Sequence, residues 1–417
     1  MTPQKENEIL VFYIGTGRLA GMLAEEIPSG VKVLRFAQIV KAEGFQKGEV
    51  SHLEKAVASV GELVKRLELD EEALASPAFI LLSGSHLEIS RFSSSIYYQG
   101  YPRVITPQEI RQVVEQTRSV APLPLENWIL QVIPESFWVN DLTGVQDPTG
   151  LEAQRLAVTL KIFTTQYASF RNLARVFEAL ELNVKGYFPK NLTLPEGLLN
   201  AEEKEGETLL IDFADDVTHL VLTRQGEIAT SRSFEVGSQF FTSKIAAAWR
   251  LSLREAERLK DRFGSLDEKL QFGEELIPLV EKNDPSNKLT HQIKRAEFHQ
   301  VFFQSGEALF SQIKKEVEKL LQEEKLAHPH FVLTGSGAKI EGLLECFTRH
   351  FSSAVRLGAP RYLEGAPESL LDPTWSGLVG LLHWLRKKES GGNGVASKEN
   401  PLARTLVQVK DWLAAYF

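Results

Sequence analysis

Two rhythms of apolar residues divide the chain. Ile9 to Ile14 is a continuous apolar run, broken by Gly15-Thr16-Gly17 and resumed from Leu19 to Leu23, which predicts a hairpin cornered on glycine. From Leu53 onward Ala56, Val57, Val60, Leu63 and Leu67 recur at steps of three and four, the spacing of an amphipathic helix laid on that sheet. Phe79-Ile80-Leu81-Leu82 reads as a strand. Between residues 78 and 163 the segments Phe79 to Ser90, Thr106 to Val120, Trp128 to Val139 and Arg155 to Phe163 predict the order strand, helix, strand, strand. The helix start is well marked, with Thr106 as N-cap, Pro107 at the first helical position and Glu109 completing a capping box. A second α/β cycle follows, with a helix near Ala168 to Leu182.

An acidic, polar stretch, Ala201-Glu202-Glu203-Lys204-Glu205-Gly206-Glu207, precedes a new strand from Leu209 to Phe213, then Thr218 to Thr223 and the turn Arg224-Gln225-Gly226. This repeats the opening plan and predicts an internally duplicated α/β architecture. Residues 246–305 are charged and expected to be mostly helical; a helix from Ser305 to Lys325 carries Leu309, Phe310, Ile313, Val317, Leu320 and Leu321 on one stripe. The strand Phe331-Val332-Leu333-Thr334 then runs into Gly335-Ser336-Gly337. From Lys387 the chain turns polar and glycine-rich up to Asn400, the composition of a flexible linker.

Composition narrows the function classes. At roughly 150 residues per domain, 417 residues imply two or three domains. The net charge of −8 argues against a surface for nucleic acid, and 43% hydrophobic with 24% charged residues is the balance of a folded globular protein. The single cysteine, Cys346, rules out an internal disulfide and a multi-cysteine zinc site. The first residues lack the pattern of a signal peptide, so a cytoplasmic location is expected. No apolar run reaches the roughly 18 residues of a membrane span, which leaves surface attachment open.

The Gly335-Ser336-Gly337-Ala338 corner has two readings. Free backbone N–H groups at a helix start can face an anion or nucleotide, or the glycines serve only a tight turn. The patterns GxxxxGK[ST], HExxH and GxSxG are absent, and the nine histidines read as structural or surface residues.

Several separated segments together resemble the actin-like ATPase superfamily and, within it, the FtsA family of bacterial cell-division proteins. Val11-Phe12-Tyr13-Ile14-Gly15-Thr16 stands where those proteins have a first phosphate loop, and Leu209-Ile211-Asp212-Phe213 leads into the second. Leu333 to Ala338 with Ile340-Glu341-Gly342 resembles the adenosine loop, and Ala256-Glu257 with Lys260 resembles an AExxK helix whose Glu and Lys approach ribose and adenine. Val132-Ile133-Pro134-Glu135, Gly144-Val145, Pro148-Thr149-Gly150-Leu151 and Arg155-Leu156 follow the domain inserted in FtsA, and Val355 to Pro360 with Val379 to Leu382 its closing segments. The pilus protein PilM, with a related insertion, is the alternative.

The resemblance implies an actin-like duplicated fold. Its first half would comprise residues 1–77, 164–205 and 361–386, interrupted by an SHS2-like insertion at 78–163. The second half would comprise 206–245 and 306–360 around a helical subdomain at 246–305, with a linker at 387–401 and an amphipathic helix at 402–417. It implies a site for ATP or ADP, with or without Mg²⁺, at Gly15, Thr16, Arg18, Asp212, Gly237, Glu257, Lys260, Gly335, Ser336 and Gly337. Departures fall on the phosphate side. Tyr13 replaces an acid, Arg18 a lysine, and Lys244 an aspartate, while Asp212-Phe213-Ala214-Asp215-Asp216-Val217 replaces a glycine-rich loop. A carboxylate about 4 Å from a phosphate charge is repelled by about 4 kcal/mol at an effective dielectric near 20. Two readings of Asp215 and Asp216 stand: acids in a solvated turn of a vacated site, or replacement ligands for Mg²⁺. Hydrolysis is expected to be negligible; the contrary reading is an active ATPase that drives assembly.

Leu402, Leu406, Val409, Leu413, Tyr416 and Phe417 share one helical face with Trp412 at its edge. A helix of this length is about 24 Å long and carries Arg404, Lys410 and Asp411, so it is expected to lie on a membrane, or else to dock on protein. The basic residues are largely offset, so apolar insertion must dominate, and several copies on a filament would hold better than one. The resemblance implies partners accordingly: the FtsZ C-terminal peptide, other copies of this chain, other division proteins and lipid, at the division site on the cytoplasmic face of the inner membrane.

Overall fold

In the computed structural model, which describes residues 8–280 and 289–390, the apolar run at the start becomes a strand, Glu8–Ile14, with every residue buried. Burial on both faces follows from its central place in a five-stranded sheet. The order is Val184–Pro189, Ala78–Leu82, Glu8–Ile14, Arg18–Ile27, Gly30–Val40. A second sheet repeats the plan as Val355–Leu357, His330–Thr334, Glu207–Phe213, Thr218–Arg224, Glu227–Phe234. In each, counting the strands in chain order, the first pairs antiparallel with the second and parallel with the fourth, the second pairs antiparallel with the third, and the fourth pairs parallel with the fifth. The duplication expected from two strand–turn–strand openings is thus present strand for strand.

The two halves share one apolar core. Tyr13, Phe188 and Trp375 join Leu210, Val221 and Val332 of the second sheet, and the space between is filled by the helices Lys190–Leu198 and Ser376–Ser390. Every residue of Lys190–Leu198 is buried. Its contact with Ser376–Ser390 depends on glycine: a Cβ at Gly197 would lie 2.1 Å from the Ser376 carbonyl oxygen, and one at Gly380 would lie 2.0 Å from that of Thr193.

The insertion is a four-stranded sheet, Leu142–Val145, Asn127–Val139, Arg155–Gln166, Glu88–Tyr97, with the helix Pro107–Ser119 packed on it. The capping box forms as expected, Thr106 Oγ1 accepting from the Gln108 N–H at 3.2 Å while Glu109 accepts from the Thr106 N–H at 3.1 Å. One expectation is corrected. Phe79 to Ser90 is not one strand of an insertion beginning at residue 78: Ala78–Leu82, wholly buried, belongs to the first-half sheet beside Glu8–Ile14, and the insertion's first strand is Glu88–Tyr97. The unbroken apolar run suits a two-face-buried strand, and the serine-rich, partly exposed segment Glu88–Tyr97 an edge strand.

Two further boundaries move. The helix Gln239–Trp249 straddles the expected boundary at 246, and the 246–305 region holds the helix Leu253–Phe263 but then a hairpin of Leu276–Val280 with Leu289–Lys294. The long helix runs Arg295–Glu323, starting before Ser305, because its buried stripe begins at Phe298 and Phe302. At the other end, residues 387–390 continue the helix Ser376–Ser390 rather than opening a linker, and Lys387 reaches Glu196 at 2.8 Å. The rest of the expected linker and the expected amphipathic helix at 402–417 lie outside the described residues.

Gly380→Leu is expected to force the two packed helices apart and to lower unfolding free energy by about 3 kcal/mol, read from the urea midpoint. Gly17→Ala, where a Cβ meets nothing within 4 Å, should stay within about 0.5 kcal/mol of the parent.

Candidate functional site

Because the halves share one topology, their first hairpins turn at equivalent places and face each other. The Gly15 N–H bonds to the Arg18 carbonyl at 3.1 Å, and the Ala214 N–H to the Val217 carbonyl at 3.1 Å. Between these turns the side chains pair across the cleft. Arg18 Nε donates to Asp215 Oδ2 at 2.9 Å, while Asp215 Oδ1 accepts from the hydroxyls of Ser336 at 2.9 Å and Ser238 at 3.3 Å. Burial alone would raise the Asp215 carboxyl, but the charges of Arg18 and Lys260 and the hydrogen bonds from Ser336 and Arg18 hold it below the usual carboxylate range. Asp216 is pushed up by burial, which the bonds it accepts from the Thr16 hydroxyl and the Lys47 N–H do not fully offset. Asp215 is therefore not loose in a solvated turn, since both its oxygens are taken by protein donors.

Beneath the turns lies a pair of charges shielded from water. Lys190 Nζ sits 3.0 and 2.8 Å from the two oxygens of Asp212, with side chains 1% and 0% exposed. It also lies 5.2 Å from the centre of the Tyr13 ring. Burial would depress the Lys190 ammonium; Asp212 and Tyr13 reverse this and raise it. The Tyr13 ring occupies the space over Gly15, where a Cβ would be 2.7 Å from the phenol oxygen, and its phenol is pushed up by burial. Neither Lys190 nor its partnership was legible in the sequence.

The adenosine-side residues come together but pair with one another. Lys260 Nζ donates to Glu257 Oε1 at 2.8 Å and approaches Ser238 Oγ at 3.4 Å, and the Thr242 hydroxyl donates to Glu257. The glycines serve close packing. Gly335 has φ +98, and a Cβ there would meet the Phe213 carbonyl at 2.5 Å and Asp212 Oδ1 at 2.6 Å. A Cβ at Gly337 would meet the Phe213 ring at 2.5 Å, and one at Gly237 the Asp215 carbonyl at 2.3 Å. Lys244 is exposed over the Phe240 ring.

The cavity bounded by Tyr13, Thr16, Arg18, Asp215, Asp216 and Ser336 has a volume of about 10 Å³, on the order of one water molecule. These residues do not fit a triphosphate. Each nearby cation already has an acid, and Asp216 is an acid in excess. A second chain of bonds crosses the cleft through His219, whose Nε2 meets Ser83 Oγ at 2.9 Å and whose Nδ1 meets Ser233 Oγ at 2.7 Å. Burial lowers its pKa to about 4, against the pull of Asp212.

Elsewhere Glu307, Cys346 and His350 place ligand atoms within 4.8 Å of one another. Arg349 Nη2 already sits 2.6 Å from Glu307 and 3.6 Å from the Cys346 sulfur, and burial pushes the thiol up to about 12. The positive charge such a cluster needs is supplied by protein.

Comparison with known proteins agrees with this frame. Residues 209–380 match the family model of cell division protein FtsA, and residues 84–164 that of the SHS2 domain inserted in FtsA, together more than half of the chain. Cell division protein FtsA of Escherichia coli (strain K12) is 26% identical over 406 residues, covering 96% of this chain and 94% of the relative. That of Pseudomonas aeruginosa is 23% identical over 410 residues, covering 97% of each. Among solved structures, a PilM-PilN type IV pilus biogenesis complex superposes with TM-score 0.63 at 16% identity, over 90% of this chain and 97% of that one. MreB 5 of Spiroplasma citri bound to AMPPNP gives 0.52 at 14%, over 93% and 99%. The fold is actin-like.

Two outcomes are expected of the buried groups. Lys190→Ala, which strands Asp212, should cost about 3–5 kcal/mol, while the double variant Lys190→Met, Asp212→Leu should recover most of it, as read by denaturant unfolding of the four-member cycle. His219 binds a proton near pH 4 when folded and near about 6.5 when unfolded. Between those values the unfolded chain holds more protons. Stability should therefore fall as the pH drops from about 6.5 toward 4, by about 1.4 kcal/mol per unit from this group, and His219→Gln should flatten that slope in urea midpoints.

Proposed function

The chain belongs to the FtsA family of cell-division proteins, and from that premise we propose that it is a division adaptor, tethering FtsZ filaments to the cytoplasmic face of the inner membrane and helping to assemble the division machinery. The observation that carries the reading is the SHS2-type insertion set into an actin-like frame whose phosphate cleft is filled by the protein's own side chains. Such a molecule is suited to joining partners rather than to turning over a nucleotide. The residues that would face an adenosine, Glu257, Lys260 and the Gly335-Ser336-Gly337 corner, are engaged with protein partners, and the proposal gives nucleotide no step.

Attachment is assigned to the C-terminal face of Leu402, Leu406, Val409, Trp412, Leu413, Tyr416 and Phe417. With Arg404 and Lys410 against Asp411 its net side-chain charge is only +1, so the apolar side chains must supply most of the binding. One such helix holds a single copy weakly. Copies arrayed in a filament raise the effective concentration of the rest, which couples self-association to membrane binding.

Removing residues 402–417 is expected to leave a folded protein that no longer sediments with liposomes; equal sedimentation of the shortened chain would sink the attachment reading. Trp412→Glu should cause the same loss and Lys410→Gln little. In a pull-down, the full chain is expected to retain the FtsZ C-terminal peptide. Failure to do so, with liposome binding intact, would remove the tethering role and favour a pilus-type adaptor.

A further inference from the structure

We propose that Asp215 is a built-in anion: its carboxylate takes the place and the hydrogen bonds of a nucleotide phosphate between the two halves, so that the cleft is completed by the chain itself and refuses ATP. The proposal concerns the cleft alone and stands whether or not the chain binds FtsZ.

Three observations meet at this residue. The first is its set of partners. One oxygen accepts from Arg18, carried by the turn of the first half, and the other accepts from Ser336 and Ser238 of the second half. A charged guanidinium and two hydroxyls converging from opposite walls form a cradle for an anionic oxygen group, and here the group inside it is covalently part of the chain. The second is space. About 10 Å³ remains around Tyr13, Thr16, Arg18, Asp215, Asp216 and Ser336, and the Tyr13 ring covers Gly15, whose N–H is itself taken by the Arg18 carbonyl.

The third is charge. Arg18, Lys190 and Lys260 are each bound to an acid, respectively Asp215, Asp212 and Glu257. An incoming phosphate would have to displace one of these carboxylates and then share the site with it and with Asp216. An intramolecular anion also has no translational freedom to lose, so it wins against a free ligand that makes the same bonds.

The test uses the full chain with ATP, ADP and adenosine, each with and without Mg²⁺, by titration calorimetry. The wild-type protein is expected to bind neither ATP nor ATP with Mg²⁺ at millimolar concentration. Asp215→Asn keeps the shape and the serine bonds but removes the charge and frees Arg18; ATP affinity should then rise by about tenfold or more. Amide exchange of residues 13–18 and 214–217 gives an independent readout. In the wild type these turns should be protected without nucleotide and unchanged by ATP, and in Arg18→Gln their exchange should quicken.

Micromolar, Mg²⁺-dependent ATP binding by the wild type, weakened in Asp215→Asn, would overturn the proposal and make Asp215 a metal ligand. No gain of ATP affinity in Asp215→Asn would overturn its role in exclusion, and unchanged exchange in Arg18→Gln would overturn the bridge. Should Asp215→Asn lose its fold, the wild-type calorimetry and the Arg18→Gln exchange still decide.

Discussion

An ammonium and a carboxylate that water does not reach stand at the junction of the two halves, and the surrounding architecture has to keep them together. Lys190 begins a helix that follows the edge strand Val184–Pro189 of the first sheet; Asp212 sits on the central strand of the second. Either charge alone in that place would be costly by several kcal/mol, so the pair is tolerable only at bonding distance. That fixes how the helix Lys190–Leu198 lies against the second sheet. Tyr13 then packs its ring beside the ammonium, and Trp375 meets Tyr13 edge-on at 5.7 Å. The glycine contacts of Gly197 and Gly380 bring the second filling helix close enough to seal the pair from solvent.

The duplication explains why charges gather here at all. Two copies of one hairpin, facing each other, place two turns at the mouth of a common cleft. Where such turns are glycine-rich, the N–H groups they expose form an anion site. In this chain the second turn carries Asp215 and Asp216 instead, and the first supplies Arg18. The two turns hold each other. The same logic extends outward along the cleft, through Ser83, His219 and Ser233 and then to Glu235, which Lys47 of the first half and Ser85 at the start of the insertion both reach.

Much of the frame was legible because it is written in local periodicity. The hairpin corner at Gly15, the helix from Leu53 and the capping box at Thr106 depend on neighbours a few residues away. The third strand of each sheet was not legible, and for one reason in both halves. Gly30–Val40 and Glu227–Phe234 each pair with a register shift, opposite Leu23/Ala24 and Leu222/Thr223, which breaks the two-residue alternation that marks a strand. The hairpin strand Leu276–Val280 carries Pro278, which argues against a strand unless the strand is an edge, as it is in a two-stranded sheet. In the candidate site the residues named from motif resemblance do come together, but their partners were hidden. Lysine is ordinarily exposed, and nothing near Lys190 in sequence announces an aspartate twenty-two positions on. The meaning of Asp215 likewise lay in Arg18 and Ser336, at separations of 197 and 121 residues.

If Asp215 completes the cleft as proposed, the cleft cannot report whether a nucleotide is present, because the free energy of its bridge does not depend on any ligand concentration. Control of such a protein must then act on surfaces that change with partners. The inserted domain is placed for this. It meets the second half through Arg91, whose guanidinium reaches the Ile228 carbonyl at 3.5 Å, and it exposes Tyr97, Tyr101, Leu125 and Leu142 to solvent. Its strand Glu88–Tyr97 lies beside Glu227–Phe234, the edge strand of the second sheet. A partner that gripped the insertion would therefore pull on an edge of the opposite half without passing through the phosphate cleft. In a molecule whose halves are already joined by a shared core, that lateral contact offers a short route by which binding at one surface can alter the other.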